Sequence, residues 1–582
     1  MGRGRAVLFL FALACGDGDP VPVAVPAGPV QLTPAERLVR VSMAVRGVRP
    51  SVAELDRMAA DPDAIEEIVD EYLDSPEFLQ TVKDLHAELY HVRVDTQTAL
   101  PALGPMAAFP GSVILNATME EPLELVAHIV GNDRPYTEIL TADYAVADAA
   151  LATIYGLAHD PAGPAWQETR HVDGREHAGL LSVSEIFRRH ASAGNNFERH
   201  RANFVAAAFL CEDFASREVT ISVDLDLSDP IAVADALSTD PACVACHKAL
   251  DPLASAFWGY KQHLDPRPIE LAMTDGCHIP PEDEIPGEES PFDQRLEDYC
   301  YPVRFYTPTL ETMYRDFALP EPGYYGTPFR GLAELGSLMA DDPRFHQCSV
   351  RHFVGWLRQV DESSVPFDEI AERTAEFAAS GFSAKALVKS IVLADSYATV
   401  AAAESGGTVP MQVVRPEQYA RTIEQLTGFQ WLAAPAAAAC APSCVEQVDL
   451  ARSDDYGFRS LAGGIDGEAT LRPTHQPTPT RLLAMARHAE EAAGYAVSQE
   501  LVAGAERRLF AAVTLDTTEE SAVRQEIASL HARVLGLAVA TDSPDVDEMY
   551  TLFSSALARG DTVTAWSLVV STLLRDPRML FY

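Results

Sequence analysis

The stretch that decides the fold runs from residue 51 to residue 90 and reads SVAELDRMAADPDAIEEIVDEYLDSPEFLQTVKDLHAELY. Its apolar residues recur at the spacing of an amphipathic helix. The dipeptides Asp61-Pro62 and Ser75-Pro76 interrupt the pattern, because proline is tolerated where a helix begins but disrupts its interior. The stretch therefore predicts several short helices separated by turns.

The same pattern covers most of the remaining chain. Just before it, Thr33 followed by Glu36 forms the pattern of a helix-capping box. Helical spacing returns at residues 119–158, 196–214 and 331–360, the last broken at Asp342-Pro343. Strand-like alternation is scarce, and REVTISVDLDL at 217–227 is the best case. We predict a mainly α, multi-domain helical protein with long loops.

The length of 582 residues exceeds what one hydrophobic core usually holds, and two to four domains are expected. The stretch AAAESGGTVP at 401–410 has the composition of a linker. The predicted organisation is a signal at 1–15, a tether at 16–30, N-terminal helical modules at 31–165, a module that carries the motif Cys243-Val244-Ala245-Cys246-His247 with a closing helical module at 166–400, the linker, and a C-terminal helical domain at 411–582.

The N-terminus has the features of an export signal. Arg3 and Arg5 precede an apolar run, and Ala12-Leu13-Ala14-Cys15 resembles a lipoprotein cleavage site at which Cys15 would carry the lipid. The alternative is an ordinary secretory signal that removes Cys15. Residues 16–30 are rich in Gly, Pro and Asp and suit a tether. We expect an exported, periplasmic or outer-membrane lipoprotein of a Gram-negative-type bacterium, held at the membrane by this anchor.

The net charge of −41 disfavours nucleic acid as a partner, because such a chain repels phosphate backbones. Acidity of this size keeps an exported protein soluble, and the alternative is that it attracts a basic partner or cations.

One short motif carries most of the chemistry. Cys243-Val244-Ala245-Cys246-His247 has two thiols three residues apart, as the two vinyl groups of a covalently bound c-type haem require. His247 follows directly, so that its imidazole can bind the iron on the same face. Two alternatives stay open, namely a zinc site, which would need further ligands, and a disulfide between Cys243 and Cys246.

Residues after the motif suit a haem pocket. The turn expected at Asp251-Pro252 offers a backbone carbonyl to the second nitrogen of His247. Aromatic residues that would wall the haem, or simply pack the core, are Phe257, Trp258 and Tyr260. Candidates to pair with the haem propionates are Arg188, Arg189, Arg199 and Arg201.

The sixth iron ligand is less defined by the sequence. Met313 ranks first and Met339 second, with Met273 nearer in sequence, and an open or His-filled position is the alternative. A second polar cluster at 171–177, HVDGREH, is either a metal site or, more simply, a polar turn.

Nine cysteines give a parity argument. Once Cys15, Cys243 and Cys246 are assigned, an even number remains, as disulfides in an oxidising compartment require. The pairs suggested are Cys440–Cys444, Cys277–Cys300 and Cys211–Cys348, although other pairings are possible.

Four segments, 45–79, 132–157, 175–211 together with 243–260, and 329–359, resemble a known family. It is the planctomycete cytochrome C family of large exported haem proteins, found also in myxobacteria and assembled from domains of unknown function. The resemblance implies one covalent haem c at Cys243 and Cys246, with His247 as its ligand. Asp251, Pro252 and Leu253 match as well, whereas residues 254–258 and the insertion that holds Cys277 and Cys300 depart from the family.

The functional expectation is a membrane-tethered, single-haem protein that transfers electrons to an unknown redox protein, with an acidic surface that would steer a basic partner. One alternative is an exported structural or binding lipoprotein in which the motif is a disulfide or metal staple. Another is a haem enzyme with an open iron position, so whether the protein is an enzyme stays undecided at this level.

Overall fold

The computed structural model describes residues 30–94, 100, 104–192, 196–218, 229–260, 301–303, 305–400, 411–434, 447–454 and 457–582. Several predicted features lie outside these ranges: the signal with Cys15, the tether, Met273, the cysteines 277, 300, 440 and 444, the linker 401–410 and most of the strand-like stretch 217–227.

The predicted mainly helical, multi-helix fold class is confirmed. In chain order the first helices, α1 to α10, are Pro34–Arg46, Val52–Ala60, Ile65–Leu73, Pro76–Tyr90, Gly111–Gly131, Ala149–Tyr155, Ser184–Arg189, Arg199–Leu210, Pro230–Thr239 and Pro241–Ala254. Helices α11 to α15 are Gly331–Ala340, Pro343–Arg358, Phe367–Ala379, Ala384–Leu393 and Pro416–Thr427. Helices α16 to α19 are Pro479–Val497, Glu520–Leu530, Pro544–Leu557 and Thr562–Leu574.

The helix boundaries follow the sequence signals. Thr33 and Glu36 form the predicted capping box at the start of α1. Pro62 and Pro76 fall at helix starts, and Asp342 accepts a hydrogen bond from the backbone of Arg344 at 2.8 Å where α12 begins. The proline breaks therefore separate helices as predicted, because each proline takes a position whose N–H has no helical partner.

Strands are short in the described chain and form four two-stranded antiparallel sheets. The pairs are Val30–Gln31 with Thr399–Val400, Ala145–Ala147 with Gln167–Thr169, Gly323–Tyr324 with Thr327–Pro328, and Leu432–Ala433 with Val448–Asp449. The first pair joins the beginning of the described chain to the end of the predicted haem-bearing region.

A single large hydrophobic core includes residues from all three predicted helical regions, from Leu38 through Phe353 to Trp566. The C-terminal region is also attached by polar contacts. Arg421 binds Asp84 at 2.6 Å, and the Gln418 side chain donates to the Met43 carbonyl at 2.9 Å. The boundaries proposed between these regions stay predictions of the sequence.

Helix α8 packs against α10, which carries the Cys-x-x-Cys-His motif, and against α12. Arg201 of α8 is fully buried and donates to the backbone carbonyls of Phe187 and Tyr260, at 3.1 and 3.0 Å. This arrangement fixes the motif helix on the core. Among the helices of the described ranges, none is long and apolar enough to cross a membrane.

Candidate functional site

The motif lies in the first two turns of α10. Asp240 caps this helix by accepting a hydrogen bond from the Ala242 N–H at 2.8 Å, and Pro241 occupies the first helical position. Cys243 and Cys246 are both free thiols of intermediate burial. Since residues three apart share a helix face, the two thiols lie on one side of α10.

His247 is oriented by a carboxylate. Its Nδ1 donates to Oδ1 of Asp251 at 2.8 Å, one turn further along α10. The guanidinium of Arg199 binds the same carboxylate from α8, with Nε 2.7 Å from Oδ1 and Nη2 3.0 Å from Oδ2. Burial alone would raise the pKa of Asp251, but the hydrogen bonds from His247 and Arg199 outweigh it and hold that pKa below its usual value.

The other imidazole nitrogen, Nε2, has no hydrogen-bond partner among the described residues, and the side chain of His247 is 23% exposed. In the neutral ring, a proton on Nδ1 directed at the carboxylate leaves the lone pair on Nε2. This is the tautomer that binds a metal through Nε2.

The backbone carbonyl expected at Asp251-Pro252 is not the partner of His247. Pro252 lies inside α10, which continues to Ala254, so that no turn forms there. In a helix the side chain four residues after a histidine lies directly beside it, and at this position the residue is an aspartate. The carboxylate of Asp251 therefore takes the role that the sequence analysis gave to a carbonyl.

The three predicted aromatic residues divide into two groups. Phe257 and Tyr260 are core residues, and both rings stack on Phe187, at 4.9 and 4.2 Å between centroids. Trp258 instead stacks on Phe317 at 5.3 Å, and its buried Nε1 finds no acceptor among the described residues.

Two further aromatic residues were missed by the sequence analysis. Phe317 is 46% exposed, and its ring lies 5.4 Å from that of Phe197. Phe197 in turn lies under the guanidinium of Arg199, 5.4 Å from the ring centroid. Phe197, Trp258 and Phe317 form an apolar edge that reaches the residue clamping Asp251. Nothing in the spacing of these three residues indicates that they meet.

The four arginines considered for propionates all have protein partners. Arg188 pairs with Glu185 at 2.9 Å, and Arg201 pairs with Glu198 at 2.7 Å within the core. Arg189 donates to the carbonyls of His91 and Gly467. Only Arg199 lies against the motif, and it does so through Asp251.

The methionines differ in accessibility. Met313 begins a short helical turn, Met313–Phe317, and is 37% exposed. That turn leads to a segment held on the motif helix, because the hydroxyl of Ser255 donates to the carbonyl of Pro320 at 2.7 Å. Met339 is 0% exposed within the main core, which leaves Met313 as the accessible candidate of the two.

The donor atoms of the motif fit the requirements of a covalently attached haem. Cys243 and Cys246 do not form a disulfide. In the part of the chain that the structure describes, their sulfur atoms and the nitrogens of His247 are not grouped closely enough to hold a metal ion directly. Two free thiols on one helix face and a ring nitrogen without a hydrogen-bond partner among the described residues are the protein groups that a covalently attached haem requires.

The segment 171–177 is an irregular polar segment, of which His171 and Arg175 are buried. The side chains of His171 and Glu121 are each 2% exposed, and Nε2 of His171 lies 4.0 Å from Oε1 of Glu121. Neither of these two atoms has a hydrogen-bond partner in the described residues. Burial raises the pKa of Glu121 to about 8 and lowers the pKa of His171 well below its usual value.

One predicted disulfide is confirmed. Cys211, which follows the last residue of α8, is bonded to Cys348 of α12 across 137 residues of sequence. The other two suggested pairs lie outside the described residues. The pairing therefore ties the helix that clamps Asp251 to the closing helical region.

Comparison with known proteins gives one partial match. The family model PSD4, described as a protein of unknown function (DUF1592), matches residues 48–157. This match agrees with the predicted resemblance to proteins assembled from domains of unknown function, and it covers the helices α2 to α6. No curated protein and no solved structure matches the chain significantly.

Proposed function

We propose that the protein is an exported, single-haem c-type cytochrome-like protein that transfers one electron at a time. The observation that carries the proposal is the motif helix, where two free thiols precede a histidine whose Nδ1 is bound by an ionised carboxylate. A bound haem c would supply the one-electron couple of its iron. The resemblance to planctomycete cytochrome C supports the same assignment.

Each residue of the motif has a separate task in this proposal. Cys243 and Cys246 provide thiols for thioether bonds and hold the group on α10. His247 would provide Nε2 as an iron ligand, and Asp251 fixes the orientation of its ring and increases its basicity. Arg199 holds Asp251 in place from a second helix, so the ligand is positioned by two elements of the fold.

The apolar edge of Phe197, Trp258 and Phe317 supports a site that excludes water from one side. Low water access favours the less charged state of an iron centre and so affects its reduction potential. Met313 belongs to the same segment as Phe317 and is the proposed sixth ligand. The net charge of −41 suits steering of a basic redox partner.

Export and membrane attachment rest on the N-terminal sequence. The apolar run that ends at Cys15 is the proposed lipoprotein signal, and residues 16–30 are the proposed tether. Covalent attachment of haem c takes place outside the cytoplasm, so the signal and the motif support each other.

The experiment is a pyridine haemochrome spectrum on full-length protein produced in a host with c-type maturation, after acid–acetone extraction. A c-type α band that stays with the polypeptide is expected. The double variant C243A/C246A should lose the band, whereas H346Q should keep it, because His346 of α12 binds the carbonyl of Ala340 at the end of α11, away from the motif.

A colourless full-length protein would contradict the proposal and would favour a structural or binding lipoprotein. Carbon monoxide binding to the reduced haem protein distinguishes an electron carrier from an enzyme. An iron that binds carbon monoxide readily has an open position and would point to a haem enzyme, whereas exclusion of carbon monoxide supports a filled sixth position.

A further inference from the structure

We propose that Cys211, Cys348 and His352 form a binding site for a thiophilic divalent cation such as Zn²⁺ when the Cys211–Cys348 disulfide is reduced. The inference does not depend on the haem, because none of the three residues belongs to the motif helix.

The donor atoms are already grouped. One Sγ or ring nitrogen from each residue lies within 4.8 Å of the others. Nε2 of His352 is 3.3 Å from Sγ of Cys348 and 3.9 Å from Sγ of Cys211. Cys348 and His352 are one turn apart on α12, which places both side chains on the same helix face. Distances of this size are close to those between neighbouring ligands of one ion.

The histidine has the outer partner that zinc sites use. Nδ1 of His352 lies 2.8 Å from Oε1 of Glu362, and a carboxylate on the far nitrogen orients a ligating imidazole and raises its basicity. In the oxidised protein Nε2 is hydrogen-bonded to the carbonyl oxygen of Ala208 at 3.0 Å. A bound cation would take the place of this contact at Nε2.

Charge balance selects the class of cation. Two thiolates neutralise a divalent ion, so a largely buried Cys₂His site avoids leaving an uncompensated charge in the core. Thiolate and imidazole ligands favour Zn²⁺, Co²⁺ or Cd²⁺ over Ca²⁺ and Mg²⁺, which prefer oxygen. Three protein ligands with one position left are the ligand set of reactive rather than purely structural zinc sites.

Access to the bridge is from one side. Cys348 and His352 are buried, whereas Cys211 is exposed. A dithiol reductant can therefore attack at Cys211. The disulfide takes two electrons and two protons from the dithiol, which itself becomes a disulfide. The cation then displaces the two thiol protons and forms two metal–sulfur bonds, with no change in its own oxidation state.

The test is a Co²⁺ titration followed by absorption spectroscopy. The starting protein is full-length C243A/C246A, so that the motif offers no thiols, reduced with a phosphine and handled without oxygen. One equivalent of Co²⁺ should give thiolate-to-cobalt charge-transfer bands and strong visible bands of a tetrahedral ion. The same protein with its disulfide intact should give neither.

Variants assign the bands to the site. Adding C211S and C348S should remove them, which also subtracts any contribution from cysteines elsewhere in the chain. H352Q should weaken binding, and E362Q, which keeps all three ligands, should weaken it about 10- to 100-fold. The matched control is H346Q, on the same helix but bound to the carbonyl of Ala340 at 2.8 Å, which should bind Co²⁺ normally.

Two results would overturn the proposal. One is a titration that is the same with and without Cys211 and Cys348, and the other is unchanged binding in H352Q. Circular dichroism shows whether reduction unfolds the protein. If it does, Zn²⁺ should restore the helical signal, and failure to restore it counts equally against the site. Because every step uses protein without haem, the outcome is separate from that of the haemochrome experiment.

Discussion

Nδ1 of His247 and Oδ1 of Asp251 lie 2.8 Å apart, one helical turn from each other on α10. The same carboxylate receives two hydrogen bonds from Arg199, which belongs to α8. The imidazole is therefore fixed by a residue of its own helix and, through that residue, by a neighbouring helix. An anionic partner also gives the ring more electron density to donate to a metal at Nε2.

If the protein binds haem c as proposed, replacing Asp251 should raise the reduction potential of the iron. In D251N the ring loses its anionic partner and donates less to the iron, and Arg199 is left as an unpaired cation nearby. Both effects disfavour the oxidised iron. We expect at least a tenfold change in the one-electron equilibrium, about 59 mV, measured by spectroelectrochemical titration.

Removal of a negative charge that does not contact His247 should shift the reduction potential less than D251N does. The control is D235N, which removes the same charge from an exposed position on the neighbouring helix α9. Equal shifts in D251N and D235N would contradict a specific role for Asp251.

Replacing Met313 should leave the fold intact but should remove the proposed sixth ligand of the iron. The side chain is exposed, so M313L should alter stability little. If Met313 binds the iron, the variant loses the thioether-to-iron charge-transfer band and its potential falls, because thioether ligation favours reduced iron. M411L, at another exposed methionine, is the matched control. An unchanged spectrum in M313L would exclude Met313.

Loss of the Cys211–Cys348 bridge should destabilise the oxidised protein. The bridge closes a segment of 137 residues, and cross-links of such span restrict the unfolded chain strongly. We expect C211S/C348S to lower the free energy of unfolding by about 2 to 5 kcal/mol in urea denaturation. The comparison is made in the haem-free C243A/C246A background, whose substituted thiols form no bridge, so that loss of a haem does not contribute. Equal stability of C243A/C246A with and without C211S/C348S would contradict this expectation.

Glu121 should make the protein less stable as the pH rises. Burial raises its pKa from 4.5 to about 8, against the opposing charge of Arg175. The folded state therefore holds a proton that the unfolded state releases between these values, and stability falls across this window. His171 has the opposite effect on stability. Because its pKa is lowered in the folded state, the unfolded chain takes up a proton more readily as the pH falls below 6.5, and the folded protein loses stability there.

Thermal unfolding of the variant E121Q at several pH values tests this expectation. Glutamine resembles the neutral acid, so the variant and the parent should melt alike near pH 5. Near pH 8 to 9 the variant should be more stable by up to a few kcal/mol, at about 1.4 kcal/mol per pH unit. Parallel melting curves across this range would show that Glu121 does not titrate as inferred.

Local sequence signals predicted the helices well. Pro62, Pro76 and Pro343 each begin or precede a helix, because proline fixes the backbone angle that a first turn needs. The contact between Asp251 and His247 could also have been predicted, because residues four apart lie side by side if the helix continues. The proline at 252 suggested a turn instead, although the helix accommodates it.

Contacts between distant segments could not be predicted in the same way. Glu121 and His171 meet only because α5 and the segment before α7 pack together, and neither residue has a local pattern that indicates burial. Phe197, Trp258 and Phe317 come from three separate loops or helix ends. The Cys211–Cys348 pair was suggested by parity and elimination, which need no geometry, and was therefore the one long-range contact found in advance.

Helix α8 connects the disulfide Cys211–Cys348 to the residues that orient His247. Its first residue, Arg199, forms an ion pair with Asp251, the carboxylate that binds His247. Cys211, which follows its last residue, is linked to α12 by the disulfide with Cys348. Twelve residues of helix make a strut of about 18 Å. A helix of this length moves as a rigid body, so a displacement of Cys211 at one end would also displace Arg199 at the other end, and with it the carboxylate that orients His247.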